Sequence, residues 1–437
     1  MSNLKVRMVV AIMLIFMTGI AAGQEQLSLD QAIQIGLENN YSILLVKNDE
    51  MIAKNNNTIG NAGFLPKVDL NSTQNNSFST TYQKTFSGTE KEINNARNQT
   101  FNANVALNWT LFDGFSMFAG KKTLDVLEEM GETWTRIAIE NTVRDIILNY
   151  YGVVQQEKLI IVLEDAVALS LQRLKIAEAK HFIGKESRLT LLQSTVDLNA
   201  DSARLIGQRS AVRNTRAELN RLLARDIETN FMVTDTIFSI SSLAYDSLID
   251  EATSQNSDIL VARYEQRLAE LSLRDMNSAR YPRLNLTSSY GYNQLNSQTG
   301  FLEYNRAYGP AVGFNLTYNL FNGFTTNTAV KNSRILVNSS EISYNETLLN
   351  IQYDIFTQYN DYLSNLDLVR LETVNQEVAK ENVDIAFEKY RIGTINDIEL
   401  RETQKKLIDA QYQLLLYQFQ AKSAEVELLR ISGGLWR

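Results

Sequence analysis

The sequence predicts an α+β membrane protein built by internal tandem duplication, in which each half supplies two strands to a transmembrane β-barrel and two long helices outside the lipid. Three observations carry this. The stretch 101–115, FNANVALNWTLFDGF, alternates Phe101, Ala103, Val105, Leu107, Trp109 and Leu111 against Asn102, Asn104, Asn108 and Thr110, the period of a strand. Asp113 and Gly114 then break the strand, and apolar residues recur at helical spacing as far as His181 without a proline. The construction returns at 311–324, AVGFNLTYNLFNGF, so that LFDGF at Leu111 becomes LFNGF at Leu320, 209 residues later.

The displacement extends well beyond the motif, which makes it a repeat. His181-Phe-Ile-Gly-Lys matches Tyr390-Arg-Ile-Gly-Thr, and Ala217-Glu-Leu-Asn-Arg-Leu-Leu matches Val426-Glu-Leu-Leu-Arg-Ile-Ser, both again 209 apart. Upstream of the second strands the offset is 216, as in Pro66 with Pro282 and Ile43-Leu-Leu-Val with Ile259-Leu-Val-Ala. The first copy therefore holds seven more residues (216 less 209) between Pro66 and Leu111. An insertion is tolerated best at an exposed loop tip, which places it in the polar run 80–98.

In chain order, residues 1–23 put Lys5 and Arg7 ahead of an apolar run from Met8 to Ile20, followed by Ala21, Ala22 and Gly23. This predicts a secretory signal peptide cut after Gly23, because the run is shorter than the ~20 apolar residues that span a bilayer. With no cysteine in the chain, neither a disulfide framework nor an acylated cysteine is available. The first repeat, 24–224, reads as a helix over 29–62, strands over 67–80 and 99–111, a long helix over 113–181 and a return helix over 187–224. A linking element covers 225–242. The second repeat, 243–437, reads as a helix over 243–279, strands over 283–293 and 310–320, a long helix over 323–390 and a return helix over 396–431. Pro66 and Pro282 separate first helix from first strand, since proline ends a helix yet suits a strand's first residue. The return helices repeat every seven residues, through Leu191, Leu198, Leu205, Val212 and Leu219 and through Leu400, Leu407, Leu414, Ala421 and Leu428. Such seams pack helices side by side as in a coiled coil.

Strands of this length, with Trp109, Tyr290, Tyr292 and Tyr318 on the apolar side and Asn, Thr and Ser opposite, suit a membrane strand of about 9–11 residues with interfacial aromatics. Four strands cannot close a barrel, and lipid does not tolerate an open sheet edge. The barrel must be shared among copies, two giving eight strands and three giving twelve.

Other classes lack their residues. Losing Lys5 and Arg7 takes the net charge from −8 to −10 with no basic cluster left, so nucleic acid is not an expected partner. The chain has one histidine, His181, beside a turn, and no G-x-S-x-G, H-E-x-x-H or Walker-type loop. No enzyme activity, cofactor or metal site is expected.

The duplicated helix–Pro–strand–loop–strand–LF(D/N)GF–long helix–(F/R)IG–helix unit, with the signal peptide, resembles the TolC family of outer-membrane efflux proteins over the whole mature chain. The resemblance implies a homotrimer whose twelve strands form one barrel in the Gram-negative outer membrane, continued into the periplasm by a barrel of helices. It implies a passive exit duct for drugs, toxic compounds or metals, in outer-membrane lipid and joined through a periplasmic adaptor (a membrane fusion protein) to an inner-membrane transporter. A duct for type I protein secretion and a secreted coiled-coil adhesin or stalk are the alternatives. By position, Ile183, Gly184 and Lys185, and Arg391, Ile392, Gly393 and Thr394, would be adaptor-docking tips. Gly184 and Gly393 suit the left-handed helix end, Ser187 and Asn396 the next N-cap, and Asn396 with Glu399 resembles a capping box. Family tips carry an acidic residue six after the glycine; Glu399 fits, whereas Thr190 departs, and Ile-Gly-Lys and Ile-Gly-Thr replace the usual Val-Gly-Leu. Glu377, Glu381, Asp384 and Glu388, with Glu399, stand where family members constrict the tunnel with acidic rings, a cation-favouring filter.

Overall fold

The computed structural model describes residues 25–235, 243–299 and 302–435. In order, the elements are β1 (Glu25–Leu27), α1 (Leu29–Asn39), α2 (Tyr41–Asn56), β2 (Lys67–Lys84), β3 (Glu90–Phe112), α3 (Ser116–Phe182) and α4 (Arg188–Leu222). There follow β4 (Phe231–Val233), α5 (Tyr245–Gln255), α6 (Ser257–Ser278), β5 (Arg283–Ser297), β6 (Tyr304–Thr317), α7 (Thr325–Ile392) and α8 (Asp397–Ser432). The signal-peptide expectation over 1–23 and part of the linking element, 236–242, lie outside the described residues. Among the described residues two compact bodies are present: one draws on 46–135, 257–299 and 302–348, the other on 25–45, 136–235, 243–256 and 349–435.

The first body holds one antiparallel sheet in the order β2-β3-β5-β6. Directly opposed residues share a face, so the register sorts the side chains. Leu70, Val105, Tyr290 and Pro310 form one cross-strand row, and Trp109, Leu286 and Phe314 another. The other face carries Asn71, Asn104, Gly291 and Gly309 in one row and Thr73, Asn102, Asn293 and Ala307 in the next. The sheet is thus apolar on one side and amide-lined on the other. Val312, Phe314 and Leu316 stay about two-thirds exposed. Among the described residues, neither β2 nor β6 has a partner along its outer edge.

Several expected boundaries move, each for a local reason. The single helices over 29–62 and 243–279 are each two helices. Asn40 breaks the first, with ψ at 125°; its side-chain oxygen accepts from the N–H groups of Ser42 (2.9 Å) and Ile43 (3.3 Å), and its amide donates to the Leu222 carbonyl (2.8 Å). One amide therefore caps α2 and ties it to the end of α4. Asn256 breaks the second helix, and its amide donates to the Ile431 carbonyl (2.9 Å) at the end of α8. The helix reaching 62 stops at Asn56.

The polar run read as a loop over 81–98 is mostly strand: β2 and β3 stay paired out to Lys84 opposite Glu90, with a bulge between Ser79 and Thr81. Uncharged polar and alternately charged residues pair well in a hairpin whose side chains are mostly exposed, so low hydrophobicity did not signal a loop. The strand over 310–320 instead covers 304–317. Thr317 lies opposite Arg283; the next partner in register would be Pro282, which has no N–H to donate. β3 passes the equivalent Pro66 because its other edge is held by β5, with Trp109 opposite Leu286. Tyr318 and Leu320 therefore leave the sheet, at 54% and 88% exposure.

In the second body, β1 pairs in parallel with β4. Beside them Leu27, Ile146, Tyr150, Leu219 and Phe231 form a core. The Tyr150 hydroxyl accepts from the Thr234 N–H (3.2 Å) and lies 2.8 Å from the Asp235 carboxylate. The heptad seams are buried at Leu205, Val212 and Leu219 and at Leu400, Leu414, Ala421 and Leu428.

Candidate functional site at the helical tips

Each helical hairpin turns on a glycine in the left-handed region, Gly184 at φ 74° and Gly393 at φ 87°. The Lys185 N–H reaches the Lys180 carbonyl (2.8 Å) and the Thr394 N–H the Lys389 carbonyl (2.9 Å), closing the helix ends α3 and α7 in the manner of a Schellman turn. The return helices start on side-chain caps: Ser187 accepts from the Thr190 N–H (3.1 Å) and Asn396 from the Glu399 N–H (2.9 Å). The capping box at the second tip differs in detail, since Glu399 accepts from the Asn396 side-chain amide (2.9 Å). His181 Nδ1–H donates to the Glu186 carbonyl (2.9 Å), a structural contact across the turn.

The tip side chains point to solvent. Ile183 and Ile392 are 61% and 70% exposed, apolar groups left on the surface of a turn. Lys185 and Thr394 are exposed, and Arg391 pairs with Glu388 at 2.6 Å. Glu381 and Asp384 are exposed on α7 with Glu388, spaced as one stripe of the helix. Asp384 and Glu388 flank a cleft also lined by Asp165, Lys380, Arg401 and Gln404. Glu399 is held in the α8 cap.

Directly behind the tips lies a charged cluster that sequence reasoning missed. Arg173 of α3 is completely buried and meets Asp397 of α8 at 2.9 Å, Asp197 of α4, and the Gln404 side chain at 3.1 Å. Arg401 of α8 donates twice to Asp201 of α4, at 2.7 and 2.9 Å, and the Ser170 hydroxyl donates to the same carboxylate at 2.6 Å. Lys180 donates to the Tyr390 carbonyl (2.6 Å) with its ammonium 3.9 Å from the Tyr390 ring centre. Two guanidinium groups thus face three carboxylates.

The balance shows in the protonation equilibria. Burial would raise the Asp201 carboxyl, but the hydrogen bonds from Arg401 and Ser170 outweigh it and hold the group below its ordinary value. Burial raises Asp397, Arg173 opposes the rise and Asp197 adds to it, leaving the group above its ordinary value. Burial likewise pushes the Tyr390 hydroxyl up. Desolvated charges persist only when paired, and removing one partner of such a pair costs about 3–5 kcal/mol. The cluster therefore fixes the first hairpin to the head of α8. The one signal for it in the sequence is spacing: Asp197 and Asp201, and Asp397 and Arg401, each stand four apart on one helix face.

Among the described residues, no three His, Cys, Asp or Glu side chains are grouped to hold a metal ion, and no helix is long and apolar enough to cross a membrane.

Comparison with known proteins fits this architecture. Outer membrane protein TolC of Salmonella enteritidis is 26% identical over 179 residues, which is 39% of this chain and 36% of that protein. The aligned region thus spans about a third of the relative's length. Among solved structures, VceC of Vibrio cholerae superposes with a TM-score of 0.75 at 16% identity, covering 94% of this chain and 97% of that one. The Campylobacter jejuni CmeC outer membrane channel gives 0.75 at 16% identity, with 93% and 86% covered. The family model described as outer membrane efflux protein matches residues 32–225 and again 248–434. A match of that extent, on a fold shared nearly end to end with outer-membrane channels, makes this chain a member of the outer membrane efflux protein family.

Proposed function

We propose that the protein is the passive exit duct of a tripartite export complex. Three copies would close a twelve-stranded barrel in the Gram-negative outer membrane, with the helices forming a periplasmic tunnel that receives small molecules such as drugs, toxic compounds or metals. The observation that carries the reading is the sheet: one face apolar, the other lined with amides, and both outer edges unpaired. Such a sheet is stable in lipid only when copies join edge to edge, and the amide face then lines water. Family membership supports an inner-membrane transporter as the energy source and a periplasmic adaptor as the link.

Internal duplication is part of the same reading, supported by two observations. The family model falls on the chain twice. Moving the pair Leu70–Val105 by 216 and 209 residues gives Leu286–Phe314, which are opposed in the second hairpin. The two glycine turns are the proposed adaptor contacts, through Ile183, Gly184 and Lys185 and through Arg391, Ile392, Gly393 and Thr394. Glu381, Asp384, Glu388 and Glu399 are the proposed constriction.

The test is the native mass of detergent-extracted protein, corrected for bound detergent, with single-channel conductance on the same sample. A conducting trimer is expected; a monomer that stays in solution without detergent would overturn the reading.

A further inference from the structure

Where strand gives way to helix, the first body carries a cavity of about 330 Å³ between the start of α3 and the end of α6. That is the low end of the roughly 300–1,000 Å³ that holds small ligands. Gly114 closes one side of it. At φ 73° it brings the two segments so near that a Cβ there would overlap the Ser278 carbonyl and stand 2.8 Å from the Tyr281 Cβ. Phe115, Phe118 and Tyr281 line the part nearer the sheet, and Lys122 and Arg274 the part farther along the helices. Each cation stands seven residues beyond a ring, Lys122 past Phe115 on α3 and Arg274 back from Tyr281 along α6.

The rings belong to a band that starts on the apolar side of the sheet. Trp109 lies on that side with Leu286 and Phe314, and its indole N–H donates to the Phe64 carbonyl (2.8 Å). The Phe64 ring stands edge-on to Phe118 at 5.1 Å, Phe118 lies 6.0 Å from Phe115, and Phe115 is edge-on to Tyr281 at 6.1 Å. Phe115, Phe118 and Tyr281 are nevertheless 58%, 53% and 53% exposed. Half-exposed aromatics suit a boundary between lipid and water.

The charge beyond the rings has one sign. No carboxylate lines the cavity, although the chain as a whole is net negative at −8. Three acids close by in sequence serve other partners: Asp113 accepts from the Met117 N–H (3.0 Å), Asp275 from the Ser116 hydroxyl and Asp125 from Lys121. Among the described residues, Lys122 and Arg274 are both exposed and neither has a carboxylate partner.

We propose that this cavity holds the phosphate of an anionic phospholipid from the leaflet that meets the helices. Lys122 and Arg274 bind the phosphate oxygens, and the acyl chains run across Phe115, Phe118 and Tyr281 onto the apolar side of the sheet. The order apolar sheet, rings, cations is the order of tails, interface and headgroup. Seven residues of helix rise about 10 Å, against a headgroup layer about 5–8 Å deep on each side of the hydrocarbon. The long stems of Lys and Arg bend back to cover the difference. A free phosphate ion would use the cations but leave the rings in water, so a lipid is the better occupant. A zwitterionic headgroup brings its own ammonium, which two cations repel, so the lipid is anionic. The inference rests on the membrane-barrel reading and adds to it a lipid chemistry and the residues that read it.

The test uses the full chain extracted from membranes and reconstituted in phosphatidylcholine vesicles, probed with spin-labelled phosphatidylglycerol and spin-labelled phosphatidylcholine. The motionally restricted fraction of each label reports the lipid held at the protein surface. Phosphatidylglycerol should be held severalfold more than phosphatidylcholine. Lys122→Gln with Arg274→Gln should bring the two labels to parity, and Lys122→Arg alone should keep the preference. Lys405→Gln with Lys406→Gln, which removes the same charge from exposed positions on α8, should leave it unchanged. An undiminished preference after Lys122→Gln with Arg274→Gln, or an equal loss from the α8 variant, would overturn the site. Inorganic phosphate should displace no more label than chloride at the same ionic strength; greater displacement would make the cavity a site for the free ion. Protein that inserts and conducts but shows no preference would remove this site alone, whereas protein that fails to enter the vesicles would remove the barrel with it.

Discussion

Asp201 and Asp397 sit in one buried cluster yet are pushed in opposite directions, and the difference decides how the tips respond to pH. Asp201 has a lowered folded pKa, so its stabilisation is present above the unfolded value of 3.8 and is lost as pH falls through the folded one. Asp397 has a raised folded pKa, so its contribution is favourable at low pH and is lost as pH rises through that value. The two carboxylates therefore bias the clamp in opposite senses as pH changes, Asp201 strengthening it as pH rises to 3.8 and Asp397 weakening it as pH rises further. Asp201→Asn should loosen the head of α8 by about 3–5 kcal/mol, read as faster amide exchange there, while Asp397→Asn should cost much less. Equal effects would show that the cluster is not polarised in this way. None of this is visible at the level of single residues in the sequence. Asp197, Asp201 and Arg401 look like solvated helix charges until a third helix covers them, and only packing provides that helix.

At the scale of elements, the long helices, the prolines before the strands and the glycine turns were legible because each has a local cause. Alternation marks β3, an uninterrupted helical period marks α3 and α7, and Gly393 at φ 87° is a position where only a residue without Cβ is unstrained. Gly393→Val should therefore distort the second tip, and export should fall severalfold while the protein stays in the membrane at its normal level. Export at the unmodified rate would remove the docking role of that tip. The breaks at Asn40 and Asn256 were not legible, because each depends on an amide reaching a carbonyl some 175 or more residues away. The outer half of the first hairpin was not legible either: strand pairing, which is non-local, overrode a composition typical of loops. The end of β6 at Thr317 follows from Pro282, but only once the register between the strands is known.

For the whole molecule, the proposed reading has the open edges of the sheet dictate an assembly of copies, and that assembly would form the duct. On the proposed reading, Glu381 and Asp384 repeat around the axis while Glu388 is partly neutralised by Arg391. Glu381→Gln with Asp384→Asn should then reduce cation preference, seen as a reversal potential closer to zero in a salt gradient. An unchanged reversal potential would put the stripe on the outer wall of the tunnel. The sequence carried the argument as far as a shared barrel, since an unpaired edge in lipid is a general prohibition.

Past Asn98 opposite Ser297, β3 loses β5 as a strand partner, and the β2–β3 ribbon runs on to Lys84 opposite Glu90. It touches the end of β5 through Arg97 with Gln298 and through Gln83, whose amide donates to the Thr299 carbonyl (2.5 Å). In a closed ring it would recur once per copy, tall hairpins alternating with short ones around the outer mouth. On that reading, substitutions in the ribbon would spare the wall beneath, and the rim would be free to vary while the conduit below it stays the same.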